Sequence, residues 1–107
     1  MIISKRINYT DSSNKSLSIF QAYRYTLFLY AGQVFSECGW IYSNMRLFEE
    51  ALTCLKQALS FMRRNSRRTA SVLQNIGAVY NEMELYSEAL AHHQQAASLY
   101  GKLIVAS

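Results

Sequence analysis

The residue types able to do chemistry are few in this chain, and their spacing keeps them apart. Cys38 and Cys54 are the only two cysteines in 107 residues. Both sit among apolar residues at helical spacing, where a thiol acts as a small hydrophobe and stays reduced in a cytosolic protein. No histidine stands at ligand spacing from them, so they do not compose a zinc site. His92 and His93 are neighbours, and successive residues on a helix point about 100° apart. They cannot face one metal as an i, i+4 pair would. Glu49 and Glu50 are adjacent acids, which suits a solvated helix start better than acid/base work. No Ser-His-Asp or Cys-His order has local support, and the phosphate-loop and dinucleotide fingerprints are absent. The expectation is a protein that is not an enzyme, with no catalytic, cofactor-binding or metal-binding residues.

Charge narrows the partners. The net charge is +4, and four of the cations are Arg63, Arg64, Arg67 and Arg68. That cluster reads as a solvated helix end and turn. A nucleic-acid surface needs basic residues spread along one face, so no nucleic acid is expected. Arg63-Arg64-Asn65-Ser66 has the form of a basophilic kinase site, where a phosphate on Ser66 would act through its charge. The most apolar run, residues 26–35, is shorter than the roughly 20 residues that span a bilayer. No leader pattern follows residues 1–6. No membrane association and a cytoplasmic location are expected.

The elements that carry these residues are helical. Half the residues are hydrophobic, there is no proline, and glycines are four, so long helices can form. Residues 1–16 are polar and read as a flexible arm. From Leu17 the apolar residues thicken at helical spacing up to Met45. Gly32 either divides this stretch into two helices or sits inside one. A turn at 44–46 leads to a helix that opens on Glu49 and Glu50, where carboxylates suit the positive dipole end, and runs to about Met62. Residues 63–68 connect it to a third helix from Thr69 to about Met83. A fourth begins near Tyr86 and ends at Gly101 or continues into Ile104. The domain is expected over 17–104, with a tail at 105–107.

The chain then repeats itself at an offset of 38 residues. Residues 39–60 laid over 77–98 give ten identities, among them Gly39 on Gly77, Tyr42 on Tyr80, Leu47 on Leu85, Ala51 on Ala89 and Ala58 on Ala96. The glycines remove a side chain where a partner helix approaches closely. The alanines do the same from the second helix, and the tyrosines fill the wedge between helices. Repetition at this scale marks a stack of small supersecondary units.

Within each copy the order is large residue, apolar residue followed by Gly, Tyr, Ala and a further large residue: Phe35, Cys38-Gly39, Tyr42, Ala51, Leu55, then Leu73, Ile76-Gly77, Tyr80, Ala89, His93. This resembles the tetratricopeptide repeat (TPR) family. The resemblance implies an all-α fold of antiparallel helix pairs stacked as an α-solenoid, with repeats at about 32–62 and 70–101 after an N-terminal helix. The period exceeds the family's usual length of about 34 by one helical turn, so each second helix is expected to be longer. That longer form is similar to repeats of the G-protein-signalling-modulator and kinesin-light-chain groups. Arg63 and Gly101 stand where the family's closing proline would be, and His93 where an apolar residue is usual.

The resemblance also implies a function: a non-enzymatic scaffold or adaptor that binds a peptide or helix of a partner protein in a concave groove. Inner faces of the first helices would carry Gln33, Ser36, Trp40, Ser43 and Asn44, then Ser71, Gln74, Ala78 and Asn81. None is cationic, so the carboxylate clamp of the chaperone-adaptor group is not expected. Asn75 matches an asparagine that the longer-period groups use on bound peptide backbone, whereas the first copy has Glu37 there. Trp40 is either an exposed hot spot or packs against residues 17–30. Tyr23, Tyr25 and Tyr30 read as core. The alternative is a self-associating structural fragment of a longer array, with a homodimer through repeat ends where Leu99, Leu103, Ile104 and Val105 are uncovered.

Overall fold

The computed structural model describes the backbone of residues 2–106 and the side chains of residues 15–105. The chain is all-α: α1 (Ile2–Asn44), α2 (Phe48–Phe61), α3 (Ser66–Glu82) and α4 (Tyr86–Ala106). The arm expected over 1–16 and the tail over 105–107 lie largely outside the described side chains. α1 passes through Gly32 without a break, so the expected N-terminal helix and the first helix of the first repeat are one element. At about 1.5 Å per residue, its length accounts for most of the 71 Å long axis of the molecule.

α2 folds back on α1, and α4 folds back on α3, through turns that match bond for bond. Leu47 N–H donates to the Tyr42 carbonyl at 2.9 Å and Arg46 N–H to that of Ser43 at 3.0 Å. In the second pair Leu85 N–H donates to Tyr80 at 2.9 Å and Glu84 N–H to Asn81 at 3.0 Å. These are the two bonds of a Schellman closure, which needs a left-handed residue after the helix. Arg46 and Glu84 supply it with φ of 63° and 62°, although neither is glycine.

The close approaches expected of the glycines are present. A Cβ on Gly39 would lie 2.7 Å from Leu55 Cγ, and one on Gly77 would lie 2.8 Å from the His93 ring. The register extends further along α1, where a Cβ on Gly32 would lie 2.7 Å from Met62 Cγ. Ala51, Ala58 and Ala96 are fully buried and Ala89 nearly so. α2 buries Ala51, Leu52, Leu55 and Ala58 on one stripe, as an amphipathic helix does. That stripe meets Val72, Ile76 and Val79 of α3 to make the main core, with Tyr42 and Tyr80 packed on its flank. A smaller cluster of Ala70, Leu73 and Ala96 holds α3 to α4.

Two expectations about length are corrected. α3 begins at Ser66 rather than Thr69, because the Asn65 side chain accepts the Arg68 N–H at 3.0 Å and caps the helix. The longer second helix is found in the second pair, where α4 has 21 residues against 17 in α3, but not in the first, where α2 has 14. α4 also continues past Gly101, where a Cβ would meet nothing within 4 Å.

Candidate partner-binding face

The first helices of the two pairs, α1 and α3, are joined at both ends of their shared length. At one end Arg68 Nη1 donates to Gln33 Oε1 at 3.2 Å, and Gln33 Nε2 donates to Glu37 Oε1 at 3.3 Å. At the other end Arg46 and Glu82 form an ion pair at 3.9 Å, both largely exposed, and such a pair contributes little to stability. Between these two ties lie the side chains singled out from the sequence.

Along α1, Gln33, Trp40 and Asn44 are exposed, while Ser36 and Ser43 are half-buried. Along α3, Ser71, Gln74 and Asn81 are exposed and Asn75 is half-buried. Trp40 is 66% exposed. It cannot pack on residues 17–30, because those residues continue the same straight helix. The surface is one indole among amides and hydroxyls, with the charged Glu37 and Arg68 bonded to Gln33 at one end, a chemistry for hydrogen-bonding a peptide and seating one large apolar group. Gln74 is partly engaged already, accepting from the Tyr100 hydroxyl at 3.5 Å.

The face is not free of cations. Arg68 stands at its edge through the bond to Gln33. Sequence spacing hides this, because Arg68 belongs to a stretch that reads as a connection until the Asn65 cap places it in the first turn of α3. A second correction concerns the tyrosines. Tyr23, Tyr25 and Tyr30 are 66%, 37% and 71% exposed; α2 ends at Phe61, whose ring lies 5.9 Å from that of Phe28, and leaves these tyrosines exposed.

The thiols of Cys38 and Cys54 are free and half-buried, and burial, reinforced by Cys38, pushes the Cys54 thiol above its ordinary range. His92 packs its ring 5.2 Å from that of Tyr80 and shares a 2.8 Å hydrogen bond with the Glu88 carbonyl. Among the described residues, no group of three His, Cys, Asp or Glu side chains is placed to hold a metal ion. No described helix is long and apolar enough to cross a membrane.

No curated protein and no solved structure matches the chain. A family model does: that of the tetratricopeptide repeat, over residues 30–102. The match spans both helix pairs and the connection between them. It coincides with the paired glycines, buried alanines and twin turns described above, and on both grounds the chain belongs to the tetratricopeptide-repeat family.

Proposed function

We propose that this chain is a scaffold or adaptor module that binds a peptide or helix of a partner protein in the groove along α1 and α3. Proteins of this family mediate protein–protein interaction, and the observation that carries the reading here is the exposed Trp40 among hydrogen-bonding side chains. A large aromatic group held on a rigid helix loses little entropy on binding and is a natural hot spot. Asn75, half-buried beside Ile76, hydrogen-bonds the partner's backbone, as in the longer-period members that the sequence resembles. Replacing Trp40 and Asn75 together by alanine lowers partner affinity at least about tenfold, the loss of one hot spot, while the helical circular dichroism stays that of the wild type. Unchanged affinity in the folded double variant removes this site.

Self-association through the end of α4 is the second reading. Ile104 and Val105 are 75% and 88% exposed there, and a short repeat stack gains stability by covering its end. A monomeric mass by light scattering at every concentration eliminates it.

A further inference from the structure

A second surface lies away from the α1–α3 groove, where α1 runs on past the end of α2. Arg24, Tyr25 and Phe28 of α1 and Phe61, Arg63 and Arg64 at the end of α2 line an open cavity of about 420 Å³. Its floor is aromatic: the Phe28 and Phe61 rings lie 5.9 Å apart, and the Arg24 guanidinium sits 5.3 Å over the Phe28 ring. Its rim is cationic, and none of its three arginines has a carboxylate within ion-pair distance among the described residues. The sequence accounts for this, since neither residues 15–32 nor residues 51–81 contain an Asp or Glu.

One feature separates this corner from an ordinary solvated surface. Large apolar side chains of the uncovered part of α1 are exposed: Leu17, one turn before Gln21 on the cavity's face of the helix, is 56% exposed, and Phe20 and Leu27 on its flanks are 61% and 64% exposed. A helix that is apolar on this scale is normally covered.

We propose that this corner docks an amphipathic helix of a partner protein that carries carboxylates beside a large apolar side chain. The carboxylates meet Arg24, Arg63 and Arg64 in charge-assisted bonds, the apolar residue enters over Phe28 and Phe61, and the rest of the apolar face lies along α1. Charge decides against a second copy of the chain. Two uncovered segments side by side would oppose Lys15 and Arg24 with no acid to compensate. Charge placement also decides against nucleic acid, because the cations are gathered at one corner over an aromatic floor rather than along a face.

The test uses the full chain and three fluorescein-labelled amphipathic helices of about five turns, identical but for Glu, Gln or Lys on the polar face beside Leu. Fluorescence polarisation is expected to show binding of the Leu/Glu helix, weakened at least about tenfold by Arg63→Glu with Arg64→Glu and by raised salt. The Leu/Lys helix is expected not to bind. Both arginines are exposed, so the double variant keeps its fold; Arg24→Gln, read in parallel, gives a smaller loss. Trp40→Ala with Asn75→Ala leaves this binding unchanged, which separates the corner from the groove. Equal binding of the Glu and Gln helices overturns the proposal. So does wild-type affinity in the double variant, or a salt-sensitive preference for single-stranded RNA over the Leu/Glu helix.

Discussion

The two helix pairs share a backbone and differ in what fills it. Turn for turn they match, down to the left-handed Arg46 and Glu84 and the hydrogen bonds that close each helix. At the crossing points, however, Gly39 receives Leu55, which is 1% exposed, while Gly77 receives His93, which is exposed. α2 is thus locked from both sides, by α1 and by α3, and α4 only by α3. The difference teaches that the repeat pattern specifies backbone approach, whereas burial depends on whether a further unit covers the helix.

The largest effect should come at the paired crossing residues. Leu55→Ala removes a fully buried side chain and costs about 2–5 kcal/mol; His93→Ala costs less than about 1 kcal/mol. Urea unfolding of both variants measures this, and equal losses would mean that the second pair is as tightly locked as the first. Next come the glycines. Gly39→Ala drives a methyl to 2.7 Å from Leu55 Cγ and 3.2 Å from the Ala51 carbonyl oxygen, a clash that costs about 1–3 kcal/mol. Gly77→Ala meets only the His93 ring, which can swing into solvent, and costs markedly less. A thermal scan that ranks the two in reverse breaks the comparison.

The junction between the pairs gives a smaller effect. Asn65→Ala removes the cap that starts α3 and should cost about 1 kcal/mol; Asn65→Asp keeps the cap and should lie near wild type. Smallest, and of opposite sign, is the turn. Glu84→Gly relieves a left-handed non-glycine residue and should stabilise by about 0.5–1 kcal/mol. Arg46→Gly gains less, because it also loses the Glu82 ion pair and the contact of its guanidinium, 5.0 Å over the Phe48 ring.

Most of the fold is legible in the sequence, since identities such as Gly39 with Gly77 and Ala58 with Ala96 report the close approaches directly. Helix ends are less so. The start of α3 depends on one Asn65 oxygen, and the basic residues around it mask the cap. The uncovered part of α1 is also illegible: apolar periodicity says that Tyr23, Tyr25 and Tyr30 want a partner, but not that α2 ends at Phe61 and leaves them exposed. Along α1 and α3, spacing selects candidate residues but cannot disclose Arg68 beside them, whose bond to Gln33 joins residues 35 apart.

The central claim is that the α1–α3 face carries the partner. A photoreactive benzoylphenylalanine at Trp40, compared with one at Thr53 on the exposed side of α2, tests it most directly. The account predicts a discrete cross-linked partner from position 40 and none from position 53. Equal cross-linking from both positions, or from position 53 alone, would contradict it.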